Sequence, residues 1–76
     1  MKKTVYNMSV VIEHDKDGYV ATCPALSGCY VQGDSYEEVM KHIHDAIALH
    51  IEDRRSSHED IPVMQDVSVS FIEVTV

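Results

Sequence analysis

Six carboxylates are the first residues with chemistry to offer. Glu13, Asp15 and Asp17 gather just before Gly18, and Asp34, Glu37 and Glu38 gather around Ser35. Converging carboxylates can hold Mg²⁺ and cleave a phosphodiester, so a metal-dependent nuclease is the enzymatic possibility to weigh. Such chemistry draws its carboxylates from mid-strand positions, whereas a turn and a helix start account for all six here. No catalytic residue is expected among them.

The five histidines and two cysteines lead to the same expectation. His42 and His44 are two apart on what reads as a helix, so they point about 200° away from each other and cannot share a metal. His50 lies two turns beyond His42, no histidine pair has the i, i+4 spacing of a helical zinc site, and His14 and His58 fall in expected loops. Cys23 sits before Pro24 with no helix N-terminus or cation beside it to lower its pKa, and it reads as core rather than nucleophile. Cys23 and Cys29 flank a turn. A cross-strand disulfide is conceivable there, but two half-buried free thiols suit a reducing cytosol. Gly18, Gly28 and Gly33 are spaced as separate turns, not as a phosphate-cradling loop. Neither metal nor cofactor is expected.

The elements that carry these residues follow from periodicity. From Val5 to Glu13 the pattern has period two, with Tyr6, Met8, Val10 and Ile12 on the strongly apolar side. His14–Gly18 is a run of turn formers, and Tyr19–Cys23 then resumes an extended pattern, which predicts an antiparallel hairpin. Pro24 ends that strand, Ser27-Gly28 reverses the chain, and Cys29–Gln32 makes a short third strand stopped by Gly33-Asp34. Ser35 with Glu38 three residues later forms a capping box, and Glu37 and Glu38 set negative charge in the first turn. A helix beginning near Tyr36 follows. Its apolar stripe is Val39, Ile43, Ala46, Ile47 and Ile51, and Lys41 is placed to pair with Glu37.

Ser56–Asp66 reads as a polar connection and Val67–Phe71 as a last strand, with the apolar phase shifting at Phe71-Ile72 as at a bulge or a face meeting a second chain. The order is β-β-β-α-β, an α+β fold with one helix packed on one face of the sheet. The other face is then open, mixed in character, and either polar or covered by another surface.

Composition narrows the function. The 76 residues carry a net charge of −7, and their Lys and Arg form no stripe, so direct DNA or RNA binding is not expected and a basic protein is the more natural partner. No apolar run approaches the roughly 20 residues that span a bilayer, and Met1-Lys2-Lys3 does not lead into a signal core, so a cytoplasmic protein without a membrane role is expected. At this size one core is marginal. With one sheet face open and an uncharged Val67–Ile72 stretch, a homo-oligomer, most simply a dimer, is expected.

The runs Gly18-Tyr19-Val20-Ala21, Pro24-Ala25-Leu26-Ser27-Gly28-Cys29, Gly33-Asp34-Ser35, Glu37-Glu38-Val39 and Asp45-Ala46-Ile47 together resemble the N-terminal domain of HicB-type antitoxins. The departures are Ser27 for proline, Ser35 for threonine and Val39 for alanine, and each keeps the turn, cap or core role. The resemblance implies a partial RNase-H-like sheet without that enzyme's active site. It also implies a partner, a HicA-type toxin that is a small basic mRNA-cleaving ribonuclease, which the domain binds and occludes. Residues 1–76 then read as a single domain lacking the C-terminal DNA-binding module many members carry. The hairpin residues Glu13, Asp15, Asp17 and Tyr19, with Glu37 and Glu38, are the expected toxin-binding groups. An orphan oligomeric HicB-like domain with a different protein or small-molecule ligand is the alternative, and an RNase-H-like metal-dependent nuclease the third.

Overall fold

The computed structural model describes residues 4–62 and 66–76. Met1–Lys3 and residues 63–65, the latter part of the expected polar connection, lie outside the described residues. Strand β1 (Val11–Asp15), β2 (Gly18–Thr22) and β3 (Tyr30–Gly33) precede one helix, α1 (Tyr36–Ser56). The sheet is antiparallel with spatial order β1-β2-β3, so each strand pairs with its neighbour in sequence.

The register sorts the side chains as period two requires. Ile12 faces Ala21 and Ala21 faces Val31 across the sheet, and all three lie on the side that α1 covers. Ala21, Cys23, Leu26, Cys29, Val39 and Ile43 are the buried core, with Met8, Val10, Ile12, Tyr19, Val31 and Ile47 packed around it. The opposite face presents Val11, Thr22 and Tyr30 in one row and Glu13, Val20 and Gln32 in the next. That face is mixed, as expected, with Tyr30, Glu13 and Gln32 exposed.

Three local features explain how this chain makes these elements. Asp15 and Gly18 close the hairpin around Lys16-Asp17: Asp15 Oδ1 accepts from the Asp17 N–H at 2.8 Å, and Gly18 takes φ 126°. Between β2 and β3, the Cys23 N–H donates to the Cys29 carbonyl at 2.9 Å while Leu26 and Cys29 close successive turns beneath it. The helix starts where the cap predicts, with Ser35 Oγ accepting from the Glu38 N–H at 3.1 Å, and it carries Arg54 and Arg55 in its last turn. Its C-terminal end closes with the N–H groups of Ser57, His58 and Glu59 on carbonyls of the last turn, and His58 adopts φ 56°.

Four expectations need correction. The first strand is paired only from Val11, not from Val5, because β2 runs out. Continuing its register would set Ser9 opposite Pro24, which has no N–H to offer. Val67–Phe71 forms no strand, since neither sheet edge receives it, and Asp66–Val76 is exposed throughout. The sheet therefore has three strands where four were expected. His14 belongs to β1 rather than a loop, and its ring stacks on its cross-strand partner Tyr19 with centroids 3.9 Å apart. Lys41 Nζ pairs with Asp45 at 3.7 Å, one turn onward instead of one turn back to Glu37.

Gly33 does more than end a strand. A Cβ there would lie 2.8 Å from the backbone nitrogen of Val39, so the missing side chain lets α1 descend onto β3. Gly33→Ala is expected to cost about 1–3 kcal/mol as overpacking. Relief of unfolded-chain entropy alone would instead add about 0.4–1 kcal/mol. The direction in which the urea midpoint moves therefore decides between the two.

Candidate protein-binding site

Two concave regions share no lining residue: one lies at the hairpin tip, and the other runs along α1 from Met40 to Ser56. At the hairpin tip, Asp15, Asp17, Asp34 and Glu38 line one cleft of about 400 Å³ together with Gly18, Tyr19, Gln32 and Gly33. Each acid arrives for a separate local reason. Asp15 and Asp17 build the β1–β2 turn, Asp34 follows the glycine that ends β3, and Glu38 occupies the first turn of α1. The descent of the helix at Gly33 brings the two groups to a common rim. No lysine or arginine lines this cleft, so it presents four carboxylates to an approaching ligand.

Of the expected binding residues, Asp15, Asp17, Tyr19 and Glu38 therefore meet at this cleft. Glu13 and Glu37 do not: Glu13 points to the open sheet face beside Val20, and Glu37 is exposed on the first helical turn. Tyr19 is partly buried against the core, so it offers the cleft a ring held in place by His14. Asp34, not among the expected binding residues, joins them at the cleft. Its position beside the Ser35 cap was the available signal. Tyr30, also outside that expectation, is 66% exposed and lies on the open sheet face with Glu13.

The remaining candidates for chemistry are committed to structure. Among the described residues, no three His, Cys, Asp or Glu side chains are grouped to hold a metal ion. His42 Nδ1 lies 2.8 Å from the Gln32 carbonyl and ties α1 to β3, and His44 Nδ1 lies 3.3 Å from Asp45 Oδ1. Hydrogen bonding from His44 holds the Asp45 carboxyl below its ordinary value, with Lys41 assisting against a smaller opposing desolvation.

Cys23 and Cys29 are free thiols, more deeply buried than expected. Burial, reinforced by Cys23, pushes the Cys29 thiol above its ordinary value. Because the unfolded chain ionises first, the stability tied to this thiol is intact below about 8.5, the ordinary thiol pKa, and declines as pH rises toward the folded value. Urea midpoints measured from pH 7 to 10 should fall more steeply for the unmodified chain than for Cys29→Ala. Parallel profiles would remove the linkage.

The second concavity is an open groove of about 870 Å³ between α1 and the segment before β1, with an apolar floor of Met8, Val10, Ile43, Ile47 and Ile51 and polar groups such as His44, Glu52 and Arg55 among its lining residues. Among the described residues, no helix is long and apolar enough to cross a membrane.

Against known proteins, residues 7–73 match the model for a family described as the HicB-like antitoxin of bacterial toxin–antitoxin systems. A UPF0150 protein of Synechocystis sp. is 40% identical over 75 residues, which cover 97% of this chain and 94% of that one. UPF0150 proteins of Archaeoglobus fulgidus and Thermoplasma acidophilum are 34% and 42% identical, covering 87% and 71% of this chain and 91% and 80% of theirs. No solved structure matches.

Proposed function

Because the chain belongs to the HicB-like antitoxin family, we propose that it is the neutralising half of a toxin–antitoxin pair, and that its target is a HicA-type ribonuclease, small and basic. It acts in the cytoplasm as a homo-oligomer, by binding alone, with no catalysis of its own. The observation that carries this reading is the cleft at the hairpin tip. Four carboxylates converge there without a cation among the lining residues, on a protein of net charge −7. Such a surface attracts a basic protein and repels nucleic acid, so it competes with RNA for the toxin's cationic face.

The test has two arms. The tagged chain, expressed in its native host, should retain a small basic protein, and adding one equivalent should stop RNA cleavage by that protein. The chain alone, freed of contaminants, should leave RNA and RNA–DNA hybrid intact with Mg²⁺ or Mn²⁺. Undiminished toxin cleavage at equivalence would overturn the antitoxin reading, and metal-dependent cleavage that disappears in Glu13→Gln would replace it with the nuclease reading.

A further inference from the structure

We infer that the C-terminal segment, residues 67–76, is an exchange strand that seats in the groove between α1 and the pre-β1 segment of a second copy of this chain. This specifies the oligomer named above and does not depend on the identity of the toxin.

Donor and acceptor are both visible and both incomplete. Every residue from Asp66 to Val76 is exposed, including Phe71 at 98% and Ile72 at 83%, although Val67, Val69, Phe71, Ile72, Val74 and Val76 give the segment the composition of a buried strand. Soluble monomers seldom leave so large a contiguous apolar surface in water. The groove is walled by Tyr6, Met8 and Val10 from the segment before β1 and by Met40, Ile47 and Ile51 from α1. That segment has no ladder partner, and β1 is an edge strand because the order is β1-β2-β3. An added strand would satisfy backbone groups on the segment and on the exposed tail at once. Ten extended residues span about 33 Å, enough to cover the groove, whose helical wall from Met40 to Ser56 spans about 25 Å.

The occupant is a second copy for two reasons. Within one chain the tail does not occupy the groove: none of residues 66–76 lines it, and all of them are exposed. Two copies that exchange tails then use each donor and each acceptor once, and the two-fold arrangement closes. Charge does not oppose it. Between residues 67 and 76 the only charged side chain is Glu73, the groove rim mixes Arg55, His44 and Glu52, and none of the acidic cleft's residues lines the groove.

Light scattering on the purified full chain at about 50 µM, above the micromolar range of ordinary dimer affinities, should give twice the 8.6 kDa chain mass. Phe71→Glu/Ile72→Glu should give the monomer mass with helical circular dichroism retained, because the tail contributes nothing to the buried core. Met8→Glu should also be monomeric. Mixing it with the tail variant should restore a heterodimer, since one intact groove then meets one intact tail. A monomeric unmodified chain overturns the inference, and protection of Phe71 in that monomer would mean the tail fills its own groove. A dimer indifferent to Phe71→Glu/Ile72→Glu also overturns it, while leaving the oligomer itself standing. Should Met8→Glu fail to fold, the tail variant alone decides.

Discussion

Truncating Ile43 to alanine is expected to be the most damaging single change to the body of the protein. Ile43 is 1% exposed and reaches from the buried face of α1 into the cluster of Ala21, Cys23, Leu26, Cys29 and Val39. Removing a buried isoleucine to Cβ costs about 2–5 kcal/mol, transfer and cavity terms together. A chain of 76 residues has only about 4–11 kcal/mol in total. With each kcal/mol worth about 4–8 °C at this size, the thermal midpoint should fall by at least about 8 °C. Thermal melts followed by circular dichroism read the effect directly. Exposed Leu49, on the same helix at 68% accessibility, provides the comparison: Leu49→Ala should move the midpoint little. A loss under about 3 °C for Ile43→Ala would mean that the core is not centred where the burial pattern locates it.

Neutralising the acidic cleft should have the largest effect on function. Asp15→Asn/Asp17→Asn/Asp34→Asn/Glu38→Gln removes four charges from one rim and keeps a side-chain oxygen at residue 15 for the turn bond to the Asp17 N–H. Steering by such a field raises association rates by about 10–10³-fold. Stopped-flow association with the basic partner at low salt should therefore slow by about 10–100-fold. The gap should close near 0.5 M salt, where the screening length falls to about 4 Å. Removing four carboxylates outside the cleft, Asp45 midway along α1, Asp53 near its C-terminal end and Glu59 and Asp60 just beyond it, alters net charge equally and should slow association much less. Equal slowing by both sets would mean that overall charge, not the cleft, guides the encounter.

The helix and the hairpin were legible because their signals are local. Ser35 and Glu38 mark a cap within one turn of chain, and Gly18 marks the hairpin within three residues. Alternation also correctly assigned Met8, Val10 and Ile12 to the core side. What alternation could not say is whether a partner strand exists: Val67–Phe71 has strand periodicity and no ladder, and Val5–Val10 has it beyond the end of its neighbour. The site was legible in part for a related reason. Asp15, Asp17 and Glu38 stood out as charge, but their meeting depends on how closely α1 approaches β3 at Gly33, a distance set by an absent side chain. Glu13 and Glu37 looked equivalent to them in sequence, but Glu13 sits two residues further from the turn than Asp15 on the same side of β1, and Glu37 is turned away by helical phase.

The order β1-β2-β3 followed directly by α1 also has a kinetic consequence. Apart from α1 on β2, the packed elements of the body are neighbours in sequence, so its closure requires mostly short loops, and such topologies fold on the order of milliseconds. The body can therefore close without residues 67–76, which contribute nothing to its core. If those residues seat on a second copy, refolding should show a fast phase independent of protein concentration, followed by a slower phase whose rate rises with it. Newly made chains would then pass through a short-lived monomer whose acidic end is already formed.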